Sequence, residues 1–261
     1  MSDIFTFTPG DAPLLISVPH AGTNLSPGLA ERLTPQAAGL FDTDWFVDRL
    51  YDFAAELGIS LIKANYSRYV IDLNRPIDGA PLYPGKTESS LTPTTTFDGF
   101  PIYKNGAAPS GDEIHARIST YWQPYHHKLK SELDRLCQRH GRVLLWDAHS
   151  IKARLPRFFE GRLPDLNFGS ADGRSCAPEI TANLLKLAQK EGAYSHVLNG
   201  RFKGGYITRH YGDPQSNIHA VQLEIAQDIY MQEDPPEFDA EKTRLLQKLL
   251  RTLLASCLNF T

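Results

Sequence analysis

Residues 141–150 read GRVLLWDAHS, and this stretch decides the fold class. Within the predicted strand 142–147 the four residues 143–146 are apolar, and a glycine stands just before the strand, which is typical of a strand buried on both faces. A helical pattern at 118–139 comes directly before it. A buried strand that follows a helix indicates an α/β sheet, and the rest of the chain repeats this order.

Working outward, six further runs predict strands: 14–18, 59–64, 69–73, 194–198, 206–208 and 220–225. Three more stretches carry apolar residues at helical spacing and predict helices: 45–57, 178–191 and 240–258. Because strands and helices alternate, we predict a three-layer α/β/α sandwich with a mixed central sheet.

The composition fits one catalytic domain that covers residues 1–261. Of the 261 residues, 41% are hydrophobic and 22% are charged, as in an average globular domain. Residues 76–111 are rich in Pro, Gly, Ser and Thr and predict a long surface loop. Loops of this length are often functional lids, although a plain insertion fits the pattern equally well.

The charge balance points to a small-molecule ligand. A net charge of −3 and a pI near 6.3 argue against a nucleic-acid partner and a membrane surface. Neither a secretory leader pattern nor a long apolar run is present in the sequence, so we expect a cytoplasmic protein. The three cysteines have no C-x-x-C spacing and predict neither disulfides nor a thiolate zinc site, and the oligomeric state stays open.

Two histidines follow predicted strands directly. His20 stands in VPHAG after the first strand, and His149 stands in WDAHS after the fourth. Ligands of open α/β sheets bind at the carboxyl ends of the strands, so the two imidazoles are candidate ligands of one divalent metal ion, zinc in the first instance. Each histidine alone also fits a hydrogen-bonded loop residue.

A catalytic zinc site needs a third protein ligand, and a carboxylate is the natural one. Asp42 and Asp44 lie where the next predicted helix begins, so we predict that Asp44 reaches the metal while Asp42 caps the helix. Asp48, one turn further along, is the reserve candidate. Asp147 either orients His149 or simply ends its strand.

Glu224 lies inside an apolar predicted strand, VQLEI. A carboxylate is costly there, which leaves a buried ion pair or a catalytic acid and base as the two interpretations. Cationic residues gather elsewhere: Arg75 ends the predicted strand 69–73, and Lys203 and Arg209 flank Gly204-Gly205. Two separated guanidinium groups indicate a substrate with two carboxylates, although each arginine alone is more often structural.

Seven blocks of the chain together resemble the N-formylglutamate amidohydrolase family, from about residue 14 to residue 231. The blocks are LLISVPHAG, DTDWFVDRLYD, SRYVIDLNRP, YWQPYH, GRVLLWDAHS, FKGGYITRHYG and VQLEIAQDIYM. The resemblance implies a zinc-carboxypeptidase-like (phosphorylase/hydrolase-like) fold and a zinc-dependent enzyme of histidine degradation. Such an enzyme splits N-formyl-L-glutamate into L-glutamate and formate.

The resemblance also implies site residues, because the related carboxypeptidases and aspartoacylases share a pattern. His20 and His149 match the two zinc histidines, Asn74 and Arg75 match the pair that holds a substrate carboxylate, and Glu224 matches the catalytic glutamate. Thr23 stands where the relatives' H-x-x-E pattern has glutamate, so Asp44 is inferred from position.

Three readings of the function compete at this point. The leading one is metal-assisted hydrolysis of N-formyl-L-glutamate. The second is another N-acyl amino acid amidohydrolase, or a small carboxypeptidase, with the same metal centre. The third is a non-catalytic α/β protein that binds an amino acid or a nucleotide and uses the histidines structurally.

Overall fold

The computed structural model describes residues 3–82 and 85–259. One sheet of this described part contains seven strands: β1 (Phe5–Thr8), β2 (Leu14–Val18), β3 (Ser60–Ala64), β4 (Val143–Ile151), β5 (Leu166–Gly169), β6 (His196–Leu198) and β7 (Ile218–Ala226). The strand order is β1-β3-β2-β4-β7-β5-β6. The four central strands β3, β2, β4 and β7 run parallel, whereas β1 and β5 are antiparallel to their central neighbours. The predicted mixed sheet is confirmed.

Helices cover both faces of the sheet. They are α1 (Val47–Leu50), α2 (Gly111–Arg117), α3 (Gln123–His140), α4 (Pro178–Glu191), α5 (Tyr206–Tyr211) and α6 (Ala240–Leu258). Leucines of α1, α4 and α6 pack with Leu144 and Trp146 of β4 in one core. On the other face, leucines of α3 and Ile207 of α5 pack with Leu145 and Ala220. This arrangement confirms the three-layer α/β/α prediction.

The face of the sheet that carries α3 changes from apolar to polar along the strands. Leu145 of β4 pairs in register with Ala220 of β7, and the next inward-facing pair is Asp147 with Gln222. The pair after that is His149 with Glu224. Because side chains alternate between faces, these residues all point the same way, and the chemistry collects at the carboxyl end of the strands.

Several predicted elements differ from the structure. The segment 69–73 was predicted as a strand, and this is wrong: it begins with a turn, and Asp72 N–H bonds to the carbonyl of Leu91 in the long loop. The predicted strand 206–208 is also wrong, because these residues begin α5. The predicted helix 45–57 is instead the short α1 and a 3₁₀ segment, Asp52–Leu57. Patterns in the sequence did not predict β1, β5 or the small hairpin of β8 (Met231–Glu233) and β9 (Pro236–Phe238).

The long helix before β4 contains one wide turn. The sequence predicted a helix over 118–139, but residues Ile118–Trp122 form a π-helical turn between α2 and α3. Pro124 lies in the first turn of α3, and a proline lacks the N–H that an unbroken helix would need there. Such turns often occur at functional sites, and this one precedes His126, whose contacts are described below.

The described residues of the predicted loop 76–111 form no strand of the sheet and no helix before α2. They form isolated bridges, such as Leu33 with Tyr103, and bury Leu91 and Ile102 against the core. The loop therefore packs on the body of the protein. Among the described residues, no helix combines the length and the apolar character needed to cross a membrane.

Candidate metal centre

The candidate site lies at the edge where the parallel strands β2, β4 and β7 end. His20 follows β2 by two residues, and Glu224 lies in β7 directly opposite His149. The sequence predicted that the fourth strand would end at residue 147, but β4 continues to Ile151 and includes His149. The strand therefore fixes the backbone of His149 more firmly than a loop would.

His20, Asp44 and His149 form a buried group that could hold a metal ion, with ligand atoms all within 4.8 Å of one another. The Nδ1 atoms of the two histidines are 3.2 Å apart. Asp44 Oδ2 lies 3.0 Å from His149 Nδ1 and 3.7 Å from His20 Nδ1. Two imidazole nitrogens and one carboxylate oxygen are a donor set that zinc and similar divalent ions accept.

Carboxylates lie behind both histidines. His20 Nε2 is 2.7 Å from Asp72 Oδ1, and His149 Nε2 is 3.2 Å from Asp147 Oδ1. A histidine that gives Nδ1 to a metal keeps its proton on Nε2, and a carboxylate there fixes the ring. Asp72 meets this condition for His20, whereas Asp147 lies within ion-pair distance of His149 and the amide nitrogen of Asn74 is the closer neighbour of Nε2, at 2.9 Å. No role was predicted for Asp72, although it stands in the quoted block SRYVIDLNRP.

Asp44 is held from several sides. Its main-chain N–H donates to the carbonyl of His20, and Oδ2 accepts the N–H of Ser150 at 3.1 Å. Arg68 Nη2 donates to Oδ1 at 3.0 Å. Burial opposes ionisation of Asp44, but Arg68 and the two histidines outweigh it and lower the pKa of the carboxyl below its ordinary value. Asp44 is therefore presented to the site as an anion.

The other two aspartates of this segment lie elsewhere. Asp42 accepts the N–H of Phe97 at 2.9 Å and does not cap a helix, because α1 begins only after Phe46. The prediction that Asp42 caps is therefore wrong. Asp48 accepts a hydrogen bond from Lys63 Nζ at 3.0 Å and is about one-third exposed, outside the group. The structure brings Asp44 to the histidines and leaves Asp48 at the surface.

Glu224 is 7% exposed and lines the same cavity as both histidines. Its Oε2 accepts a hydrogen bond from Gln222 Nε2 at 3.1 Å. Burial, and then the charge of Asp44, raise the pKa of Glu224 to about 8, with His149 and Arg68 acting in the opposite direction. A carboxyl whose pKa lies near neutrality is suited to accepting and returning a proton.

Asn74 is engaged by neighbouring parts of the protein. Its Oδ1 accepts the N–H of Ile207 at 2.7 Å, and its Nδ2 lies 3.4 Å from Asp147 Oδ2 and 2.9 Å from His149 Nε2. A Cβ on Gly205 would stand 2.3 Å from this amide, so glycine allows α5 to approach so closely. Asn74 therefore positions α5 and Asp147, and its predicted contact with a substrate carboxylate stays a prediction.

One cavity of about 60 Å³ connects these groups to the surface. It is lined by His20, His149, Glu224, Asn74 and Arg75 together with Arg68, Asp72, Thr87, Glu88, Ser89, Phe97, Ser150, Ile151, Phe158, Arg201, Phe202, Gly205 and Gln222. Five of the residues predicted for the site therefore belong to this wall: His20, His149, Glu224, Asn74 and Arg75. Asp44, which contacts both histidines, is not in the wall.

Two predicted substrate residues are not in the wall of this cavity. Arg209 Nε donates to the carbonyl of Gly204 at 2.7 Å, and Lys203 Nζ pairs with Asp172 at 3.0 Å. Arg201 lines the cavity instead, although it was not predicted. Arg201 stands immediately before the block FKGGYITRHYG, so the block that carried the family resemblance began one residue after it.

The sheet and the buried group define a class: three-layer α/β/α proteins with a candidate metal centre beside a buried glutamate at the carboxyl edge of the sheet. Comparison with known proteins identifies the family of the chain. The model of the N-formylglutamate amidohydrolase family matches residues 12–231, and the chain belongs to this family.

Relatives cover nearly the whole chain. An N-formylglutamate deformylase from Pseudomonas putida is 51% identical over 260 residues, which are 98% of this chain and 97% of the relative. One from Pseudomonas aeruginosa is 50% identical, with coverage of 99% and 97%. A crystal structure of N-formylglutamate amidohydrolase from Ralstonia eutropha JMP134 superposes with a TM-score of 0.84 at 26% identity, over 97% of this chain and 96% of that one. An Agrobacterium tumefaciens protein at 19% identity shares the fold, with a TM-score of 0.70 and coverage of 98% and 96%.

Proposed function

We propose that this chain is a metal-dependent amidohydrolase that splits N-formyl-L-glutamate into L-glutamate and formate. The observation that carries the proposal is the buried group of His20, Asp44 and His149 beside Glu224, in a chain about half identical to proteins named N-formylglutamate deformylase. We further propose that the reaction serves histidine degradation in the cytoplasm.

One zinc ion per chain would be held by His20 Nδ1, His149 Nδ1 and Asp44 Oδ2. The donor set fits, because the three atoms converge and because a carboxylate stands behind each histidine. A divalent ion bound there would polarise the formyl carbonyl and lower the pKa of a water molecule. His and Asp ligands also suit manganese, iron and cobalt, so the ion used in the cell depends on supply.

Glu224 moves the proton in this proposal. It lies opposite His149 on the neighbouring strand and faces the same cavity. Its carboxylate takes a proton from the attacking water as the oxygen bonds to the formyl carbon, and it returns that proton to the amide nitrogen as the C–N bond breaks. Formic acid and the free amino group of glutamate result, the acid then ionises to formate, and Glu224 is regenerated.

Arg75 binds one substrate carboxylate. It lines the cavity next to Asn74 and is oriented by two hydrogen bonds, from Nε to the carbonyl of Ser89 at 2.7 Å and from Nη1 to that of Asn74 at 2.8 Å. A guanidinium fixed in this way loses little side-chain entropy when a carboxylate arrives. We assign the α-carboxylate to Arg75.

The test combines formate release with a Glu224→Gln variant. We expect the parent protein to release formate from N-formylglutamate and to release little glutamate from N-acetylglutamate. Glu224→Gln keeps the shape of the side chain but removes the base, so kcat should fall roughly 10²- to 10⁴-fold while the metal stays bound.

Glu191→Gln is the matched control, because Glu191 is exposed at the end of α4. It should behave like the parent protein. No formate release by metal-loaded parent protein would refute the proposed reaction, and near-normal kcat in folded, metal-loaded Glu224→Gln would refute the role of Glu224.

A further inference from the structure

Three arginines line the cavity, and they are engaged differently. Arg68 forms a buried ion pair with Asp44. Arg75 stands beside Asn74, at the end of the segment that carries Asp72. Arg201 comes from a separate segment that follows β6. The cavity therefore has guanidinium groups on two independent parts of the chain besides the one that pairs with Asp44.

Arg201 connects three segments around the cavity. Its Nε donates to the carbonyl of Phe158 at 2.7 Å, and its Nη2 donates to the carbonyl of Thr87 at 2.9 Å. Phe158 and Thr87 line the cavity as well, the latter from the long loop. The guanidinium thus has a fixed plane at the cavity wall, held by main-chain atoms.

The backbone that carries Arg201 is also anchored. Asn199 has a φ of 53°, and its N–H donates to the carbonyl of Phe168 in β5. Its side chain forms two hydrogen bonds with Ser170, one from Ser170 N–H to Oδ1 at 2.9 Å and one from Nδ2 to Ser170 Oγ at 3.0 Å. These contacts hold the start of the segment against the sheet, so Arg201 is placed before a ligand binds.

Two acidic residues of the cavity wall already accept hydrogen bonds. Asp72 accepts from His20 and from Ser89 Oγ, and Glu88 Oε2 accepts the N–H of Leu82 at 3.2 Å. On the proposed function, the substrate brings two further carboxylates into this space. Each of them needs a cationic partner, because an unpaired charge that is partly removed from water is disfavoured.

Resting on the proposed function, we propose that Arg201 determines specificity by binding the side-chain carboxylate of the substrate, while Arg75 binds the α-carboxylate. A neutral side chain lacks the carboxylate that would pair with the guanidinium of Arg201.

The experiment measures kcat/KM for N-formylglutamate and N-formylglutamine, which have the same shape and differ in the side-chain charge. The parent protein should prefer the acid roughly 30-fold to several-thousand-fold. Arg201→Gln should lose most of this preference, mainly through slower turnover of the acid. Arg201→Lys should keep part of it, because a point charge remains without the planar fork.

Arg157→Gln is the matched control for loop anchoring. Arg157 also fastens the long loop, through the carbonyl of Thr96 at 2.7 Å and Thr95 Oγ1 at 3.2 Å, but it is outside the cavity wall. This variant should keep the parent's preference for the acid. Arg209→Gln should keep it too, since Arg209 is also outside that wall.

A second measurement does not depend on turnover. Calorimetric binding of the product L-glutamate to metal-loaded protein should weaken at least 30-fold in Arg201→Gln, whereas binding of L-glutamine should change little. If Arg201→Gln keeps the full preference in an active protein, the assignment of Arg201 is overturned and the proposed function stands. If Arg209→Gln loses the preference instead, the specificity residue is Arg209. If the parent protein releases no formate, the proposed function itself fails.

Discussion

At the scale of single residues, Asp72 links three parts of the site. It is completely buried, and Oδ1 accepts hydrogen bonds from His20 Nε2 and from the N–H of Asn74 at 2.9 Å. Oδ2 accepts from Ser89 Oγ of the long loop at 3.1 Å. One carboxylate therefore sets the orientation of a histidine of the candidate metal centre and the position of the loop.

We expect Asp72→Asn to weaken metal affinity about 10- to 100-fold, because an amide oxygen still accepts the hydrogen bond but no longer makes the imidazole a better ligand. Competition with a chromogenic chelator measures the affinity directly. Asp78→Asn is the control, since Asp78 is exposed on the same loop. Equal affinity in Asp72→Asn and the parent would show that Asp72 does not support His20.

The sequence was informative where a residue's chemistry is unusual for its surroundings. Two histidines after apolar runs and an aspartate before the next predicted helix predicted the three residues that the structure brings together, and the glutamate inside an apolar run lies beside them. The roles of Asp72 and Arg201 were not predicted, because they depend on hydrogen-bond partners that are 52 and 114 residues away in the chain. Only the folded arrangement of the loops reveals those pairs.

At the scale of elements, α3 supports the site through His126. The ring stacks on Trp122 with centroids 3.7 Å apart, and Nδ1 lies 2.9 Å from the hydroxyl of Tyr211 in α5. Nε2 lies 2.9 Å from the carbonyl of Leu73, the residue before Asn74. Because a carbonyl only accepts, Nε2 carries the proton and Nδ1 accepts from Tyr211. Helix α3 thus holds both α5 and the segment that carries Asn74.

The burial of His126 predicts that the stability of the folded protein depends on pH. Burial lowers the pKa of His126 to about 3, from about 6.5 in an unfolded chain. Between these values the unfolded state binds the extra proton, so stability falls as the pH drops from 6.5 towards 3, by at most about 1.4 kcal/mol per pH unit from this group. The free energy of unfolding, measured with denaturant at several pH values in that range, should change less with pH in His126→Gln than in the parent protein.

His127→Gln is the control for this experiment, because His127 is the exposed neighbour on the same helix. It should keep the parent's slope. An unchanged slope in His126→Gln would mean that His126 is not the group that opposes protonation in the folded state. The slope is informative even if the variant is less stable at every pH.

Elements whose conformation depends on distant groups were the ones that the sequence did not predict. Residues 206–208 (Tyr-Ile-Thr) are favourable strand residues, yet they begin α5, where the amide of Asn74 accepts the N–H of Ile207. Helix α5 follows two glycines that fit against Asn74 and β5. In contrast, α4 and α6 lie where the sequence predicted them, because their apolar faces repeat regularly over many residues.

At the scale of the whole molecule, two cores share one sheet. Trp146 belongs to the core under α6, and its neighbour Leu145 belongs to the core under α3. Neither core can lose its sheet face without exposing the other. We therefore propose that residues 1–261 unfold as one cooperative domain, and that a metal bound by residues from three segments stabilises all of it.

Calorimetry tests both statements. Dialysis against a chelator should lower the Tm, and zinc at about 100 times its Kd should restore roughly 2.7 kcal/mol of stability, or several degrees. The melting curve should show one transition with and without the metal. His20→Ala should be insensitive to both treatments. Two separate transitions would contradict the single domain. A Tm that does not change when the chelator is added to a metal-loaded sample would contradict the metal centre.

The outermost strands of the sheet are short: β1 has four residues and β6 has three. The open edge of a long, flat strand is a template on which a second molecule can build amyloid-like fibrils. Strand β1 covers the edge of β3, whose Ile62 is fully buried. Removal of the residues before residue 9 would expose the edge of β3 to solvent. Strand β1 therefore protects the protein against aggregation, and this effect is independent of the chemistry at the centre of the sheet.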